Sequence, residues 1–427
     1  MKTAVVILNW NGKGYLEKFL PGLLDSIGQD PNGYCEDYDT QVVVADNGST
    51  DGSLEFMREH FPGVRTLQLG KNFGFTGGYN RAFEMLDCEY FVLINSDVEV
   101  TPDWIYPLQE WMEYHPECAV CSPKILSYDE RERFEYAGAA GGYLDCYGFP
   151  FCRGRVMELH ETDNGQYDDP AEVLWASGAC MMVRSSVYRE LFGLDERFFA
   201  HMEEIDFCWR ARLAGYKVHV VPRAKVYHVG GGTLPNNSPR KLFYNYRNNL
   251  LMLDKNLDKC LILANLFEIA ATLEPVEEYC SDPFKGAINV YLSEEEDMKQ
   301  LWYRQLVKLG MRSAKKRIRR RMILDGLSAG VYLLRGQFSY FKAVMDAHKE
   351  FKAMREKKDF SLLHGWACDC LLDPNLRVAK SVLMFDNKNH NEGGVYFKIR
   401  GIYSRFIVWR KILKKEEIFD EIREQVD

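Results

Sequence analysis

Thr3-Ala4-Val5-Val6-Ile7-Leu8-Asn9-Trp10-Asn11-Gly12 is an apolar, largely β-branched run that stops at a polar turn. Continuous apolarity of this kind suits a strand covered on both faces, as in a parallel sheet. The pattern returns at Gln41–Ala45, ending at Asp46, at Val64–Leu69, and at Tyr90–Ile94, ending at Asn95-Ser96-Asp97. Between these runs, Tyr15–Ser26, Ser53–His60 and Asn80–Leu86 show helical spacing. Strand and helix alternate, which predicts a wound α/β domain. Its polar residues fall just past the strand ends, where open α/β sheets bind ligands.

Outward from this core the reading loosens. Ser122–Pro170 interleaves glycines with aromatics and is expected to form loops and short strands, a flap. Val173–Arg184 returns to strand character, Ser185–Phe192 and Glu204–Ala214 are helical, and Lys217–Pro222 and Ala224–His228 are the last short strands. After about Leu250 the patterns become long, helical and charged. The expected division is therefore an α/β domain over 1–250 and a mostly helical region over 251–427, a comfortable partition for 427 residues. Ser361–Asn391 shows no clear pattern.

Composition excludes some functions. A formal charge of −8 speaks against a dedicated nucleic-acid binder. The 12 cysteines form no disulfide framework, and Cys118-x-x-Cys121 has no partner pair at zinc spacing, so both are read as reduced thiols. The first apolar run ends at Asn9–Gly12 without a small-residue cleavage site, and no apolar run reaches 18 residues. The expectation is a cytoplasmic protein.

Five stretches carry candidate chemistry. Asp46 opens Asp46-Asn47-Gly48-Ser49-Thr50-Asp51-Gly52-Ser53; it could accept from a base N–H while the turn amides face phosphate, or simply build a turn and helix cap. Asn72–Arg81 holds three glycines that admit a ligand to the backbone, and Arg81 could pair with phosphate; the plain alternative is a glycine-rich loop and helix start. The first strand is not followed by G-x-G-x-x-G, which weighs against a dehydrogenase. Asp97, directly past a strand, could hold a hard cation together with diphosphate oxygens. Glu203, Glu204 and Asp206 sit at a helix start, where the dipole favours them; one could be a general base with its pKa raised by its neighbours. His228, followed by Gly230-Gly231-Gly232, could ligate a metal beneath a mobile loop.

Taken in order, VVILNWNG, ADNGSTDGS, NFGFTGGYNRAF, LINSDVEV, WASGACMMVR, FGLDERFFAHMEEIDFCWRARLAGYKV and YHVGG resemble the family-2 glycosyltransferases of the GT-A fold, in particular their bacterial rhamnosyltransferase-like and galactofuranosyltransferase-like branch. The resemblance covers Thr3 to about Leu250. It implies a mainly parallel wound sheet that binds a dTDP- or UDP-linked sugar and a divalent metal, Mg²⁺ or Mn²⁺. It places Asn9, Asn11 and Asp46 at the base and ribose, and Asn72, Gly77, Asn80 and Arg81 along the nucleotide sugar. Asp97 and His228 become metal ligands, Glu204 the base with Asp206 as its alternative, and Trp175, Ser177 and Gly178 shape the acceptor side. Asn95 replaces the first Asp of the family's D-x-D, and Glu203-Glu204 stands where Glu-Asp is common.

The implied reaction is an inverting transfer to a glycan or lipid-linked glycan in envelope polysaccharide synthesis. Its rival is a non-catalytic module that binds the nucleotide sugar or glycan, which Asn95 keeps open. A nucleotidyltransferase would want a basic glycine-rich loop after the first strand, and none is present. The basic run Lys315–Arg321 beside apolar Met322–Leu334 suits either an anionic membrane surface, with peripheral attachment to the inner face, or a solvated helix face beside a core helix.

Overall fold

The computed structural model describes residues 1–32, 39–136, 138–145, 147–156, 159–230, 238–272 and 296–372. The N-terminal half alternates as read: β1 (Thr3–Asn9), α1 (Lys13–Asp25), β2 (Thr40–Asp46), α2 (Ser53–His60), β3 (Arg65–Gln68), α3 (Gly74–Glu84), β4 (Tyr90–Asn95), β5 (Val98–Val100), α4 (Tyr106–Tyr114) and β6 (Cys118–Ser127). Four short strands follow, β7 (Gly142–Leu144), β8 (Pro150–Cys152), β9 (Arg155–Val156) and β10 (Leu159–His160). Then come β11 (Ala171–Glu172), β12 (Cys180–Arg184), α5 (Ser185–Glu190), α6 (Glu203–Leu213) and β13 (Lys217–His228). Helices α7 (Pro239–Thr272), α8 (Glu296–Leu334), α9 (Phe338–Met354) and α10 (Phe360–Leu372) complete the described chain.

The main sheet runs β11-β13-β6-β12-β4-β1-β2-β3, with β5 added on β13. β3, β2, β1 and β4 are mutually parallel, and β12 enters antiparallel between β4 and β6. This is the α/β fold class expected, a mainly parallel wound sheet with helices after it. Each central strand is buried on both faces, which is why Ala4–Ile7 and Phe91–Ile94 are near 0% exposed and uniformly apolar.

Three expectations change. The glycines of 72–78 are not a loop ahead of a helix at Asn80: α3 begins at Gly74. They are small because the helix lies close on the sheet, and a Cβ on Gly78 would fall 2.7 Å from Leu8 Cδ1. Ser122–Ser127, expected as the start of the flap, belongs to the central strand β6. Pro123 and Lys124 disguise it in the sequence, and Lys124 is tolerated at 0% exposure because Asp163 (2.9 Å) and Asp168 neutralise it. The two last short strands are one, β13, whose register shifts between Val221 and Lys225. The flap itself is the small antiparallel sheet β10-β9-β8-β7.

Cys118 and Cys121 are buried free thiols, and burial pushes the Cys118 pKa up to about 12. The boundary expected at Leu250 falls inside α7, and of Ser361–Asn391 the first residues belong to α10 while those from 373 lie outside the described set.

Trp175 shows how tightly the flap seats. A Cβ on Gly142 would lie 1.9 Å from Trp175 Cε2, inside the ring. Gly142→Ala is therefore expected to destabilise the protein by at least about 1–3 kcal/mol through overpacking, read as a lower urea midpoint at unchanged slope.

Candidate active site

The C-terminal ends of the parallel strands converge as open α/β sheets require. At the end of β1, Asn9 donates from Nδ2 to Asp46 Oδ2 (3.1 Å) at the end of β2 and to Ser49 Oγ (3.1 Å). Asp46 Oδ1 accepts the Gly48 and Ser49 amides at 3.1 and 3.0 Å, so its carboxylate builds the turn. Asn11 Oδ1 accepts the Thr50 amide at 2.7 Å. Asn72 Oδ1 accepts the Gly74 amide at 2.7 Å and Asn47 Nδ2 at 3.3 Å. These residues shape one loop surface over the sheet edge, and Asn9 Oδ1 is a buried acceptor that no donor meets.

Asp97 and His228 meet. Asp97 Oδ1 lies 3.2 Å from His228 Nε2, and both residues are 6% exposed. The meeting follows from β5 pairing antiparallel to β13, with His228 opposite Val98. Asn95 Nδ2 is 3.5 Å from the same imidazole nitrogen. On the ring's other side Glu135 Oε1 lies 3.3 Å from Nδ1. Burial alone would lower the His228 pKa, but the Glu135 and Asp97 carboxylates overcome it and push it up to about 10.

Among the described residues no group of three or more His, Cys, Asp or Glu is placed to hold a metal. Asp97 and His228 are nonetheless a fitting pair for a divalent cation whose remaining ligands are phosphate and water oxygens, provided the cation displaces the proton that the two carboxylates hold on the ring. Glu135 stands where an outer carboxylate orients a metal-binding imidazole. No sequence signal marked Glu135: it is one of several acids in the charged stretch 129–135, brought in by tertiary packing. Gly230 lies beside it, and Gly231 and Gly232 lie outside the described residues.

Glu204 sits in the first turn of α6. A Cβ on Gly178 would lie 3.6 Å from Glu204 Cβ, and the next residue, Ala179, accepts the Asn95 amide at 2.9 Å. Glu204 therefore lies beside Gly178, next in sequence to the residue that bonds the end of β4. Glu204 Oε2 and Glu203 Oε2 are buried oxygens that no donor meets. Burial pushes the Glu204 pKa up to about 7, and burial with the adjacent Glu204 charge raises that of Glu203. Phe199, His201 and Met202, just before α6, hold φ of 64°, 73° and 73°. Such a run of non-glycine residues at positive φ stores strain of the kind found at functional sites. It is held from α7, where Asn248 Nδ2 donates to the Ala200 and His201 carbonyls at 2.7 Å each. Asn248 is a second residue the sequence did not disclose.

Several expected site residues are occupied elsewhere. Asp206 is 0% exposed, with Oδ2 accepting from Arg210 Nε (2.8 Å) and Lys255 Nζ (3.0 Å) and Oδ1 accepting from Asn256 Nδ2 (2.8 Å). Burial would raise its pKa, but Arg210 and Lys255 prevail and lower it. A sealed, fully paired carboxylate cannot take a proton from substrate, so as a base Asp206 is corrected to a link between α6 and α7. Trp175 is 3% exposed with Nε1 donating to the Tyr143 carbonyl at 3.0 Å, so its indole supports the flap and does not face a ligand. Asn80 Oδ1 accepts Tyr188 Oη (2.6 Å) and the Leu194 amide (3.0 Å), tying α3 to α5 and the loop after it. Arg81 pairs with Glu196 at 2.9 Å and stacks on Phe73, 3.8 Å from the ring centre. A Cβ on Gly77 would lie 2.9 Å from that Arg81 side chain, so this glycine makes room within α3.

The Asp97–His228 pair and Glu204, with its buried unmet oxygen, stand near the C-terminal ends of the sheet strands. Residues 4–192 match the family model described as glycosyl transferase family 2. The N-acetylglucosaminyl-diphospho-decaprenol L-rhamnosyltransferase of Mycobacterium tuberculosis is 28% identical over 239 residues, 52% of this chain and 75% of that protein. The dTDP-rhamnosyl transferase RfbF of Shigella flexneri is 24% identical over 230 residues, 50% of this chain and 71% of that protein. Among solved structures, S. aureus TarS is similar at a TM-score of 0.42 and 14% identity, covering 82% of this chain and 92% of that one.

Proposed function

We propose that this protein is an inverting glycosyltransferase that moves a sugar from a nucleoside-diphosphate donor to a glycan or lipid-linked glycan acceptor in envelope polysaccharide synthesis. The observation that carries the reading is Glu204: a carboxylate with a buried, unmet oxygen and a raised pKa, beside Gly178, next in sequence to the residue that bonds the end of β4. Glu204 accepts the acceptor hydroxyl proton as that oxygen attacks the anomeric carbon and the nucleoside diphosphate leaves on the opposite side. Asp97 and His228 would hold a divalent cation, Mg²⁺ or Mn²⁺, which would supply charge to stabilise the departing diphosphate. The loop surface of Asn9, Asn11, Asp46 and Asn72 receives the nucleoside. The names of the relatives favour a dTDP-linked deoxyhexose over a UDP-linked sugar.

Donor binding tests the reading by thermal shift. A ligand at 100 times its Kd stabilises the native state by about 2.7 kcal/mol. One nucleotide sugar is expected to raise Tm in the presence of Mn²⁺, with the shift lost in Asp97→Ala and kept in Glu204→Gln. No shift with any dTDP- or UDP-sugar would overturn the donor assignment. A shift without transfer to any acceptor would leave the binding module as the function.

A further inference from the structure

Helix α8 buries one face and leaves the opposite one bare. Val307, Ala314, Ile318, Arg321, Asp325 and Ala329 point inward, each 5% exposed or less. Of the basic run, Arg321 is thus an internal residue, donating to Asp325 at 2.8 Å and stacked on Phe149. The outward face has two halves. Lys316, Arg319 and Arg320 are exposed on the first. At helical spacing beyond them stand Ile323 (64% exposed), Leu327 (53%), Val331 (46%) and Leu334 (89%), and Phe338 (68%) follows across the tight turn into α9.

Between Met311 and Leu324 the sequence contains no acid, in a chain of net charge −8. Among the described residues no hydrogen bond or ion pair engages Lys316, Arg319 or Arg320. A contiguous apolar ridge of this kind marks an interaction surface, not scattered exposure.

We propose that this face of α8, with the α8–α9 tip, docks on an anionic lipid bilayer. The helix lies nearly in the membrane plane with its tip dipped. Ile323, Leu327, Val331, Leu334 and Phe338 enter the headgroup–acyl boundary, about 5–10 Å deep, and the three cations meet lipid phosphates. Charge complementarity selects the occupant: a purely apolar partner would leave Lys316, Arg319 and Arg320 without counter-charge, whereas an anionic surface satisfies both halves at once. No helix among the described residues is long and apolar enough to cross a membrane, so the docking is peripheral. That the docked enzyme would face a lipid-linked acceptor rests on the proposed function; the docking itself does not.

Flotation of the full chain with phosphatidylcholine vesicles, with and without phosphatidylglycerol, tests it. Partition onto the anionic vesicles is expected to be at least about tenfold stronger at low salt and to fall as salt screens it. The double substitution Leu334→Asp/Phe338→Asp should abolish partition. The triple substitution Lys316→Ala/Arg319→Ala/Arg320→Ala should remove only the preference for anionic lipid. Unchanged Tm and an unchanged donor-induced shift in both variants keep loss of docking distinct from loss of fold or of the transferase site. Failure of the native chain to float at low salt overturns the proposal, as does flotation of the tip variant at native level. A native dimer that the tip substitutions split in the absence of vesicles overturns it too, because a second copy would then be the occupant.

Discussion

Glu204→Gln is expected to lower turnover by about 10²- to 10⁴-fold while leaving donor affinity unchanged. The amide preserves shape but cannot take the acceptor's proton, so kcat and kcat/KM fall together and the KM for donor holds. The pH profile of the native protein gives an independent readout. Burial holds Glu204 protonated up to about pH 7, and a base works only once deprotonated. Activity should therefore rise about tenfold per pH unit below that value and level off above it. An ordinary exposed glutamate would complete its rise about two to three units lower. A Glu204→Gln variant with near-native kcat, or a native profile flat from pH 5 to 8, would remove Glu204 from the chemistry.

Asp206→Ala, two residues along the same helix, is expected to fail in the opposite way. It removes the shared partner of Arg210, Lys255 and Asn256 inside the α6–α7 contact. Breaking a buried ion pair from one side typically costs about 3–5 kcal/mol, and the loss here should fall below that because Lys255 keeps Asp195 at 2.8 Å and Arg210 keeps the Leu191 and Gly193 carbonyls. Equilibrium denaturation should show that loss, while kcat per folded molecule stays within a small factor of native. The acid dependence has a definite sign. The folded pKa of Asp206 is depressed, so its contribution is present above the ordinary carboxylate value and is lost as pH falls through the folded one. The stability gap between native and variant should accordingly narrow in acid. A variant as stable as native but inactive would reverse the roles assigned to the two acids.

The two carboxylates mark the limit of what residue type and spacing convey. Both lie at a helix start beside like charges, and both could be read as bases or as dipole partners. What separates them is α7, distant in sequence, which brings Lys255 and Asn256 to Asp206 and nothing to Glu204 Oε2. Glu135 and Asn248 were illegible for the same reason: each acts on a site residue across a long sequence separation.

The sequence by itself determined the wound α/β core, because doubly covered strands must be continuously apolar and the helices between them periodic. The resemblance of its motifs also singled out Asp97 and His228, which the fold brings to 3.2 Å of each other. Tertiary structure alone decided the rest. Cys118–Ser127 became a strand because Asp163 and Asp168 neutralise the Lys124 that breaks its pattern. The glycines of 74–78 joined a helix because that helix packs against Leu8. Tertiary structure also gave Trp175, Asn80, Arg81 and Asp206 internal partners, because a polar or aromatic side chain bonds whichever partner packing delivers, and periodicity carries no information about partners remote in the chain.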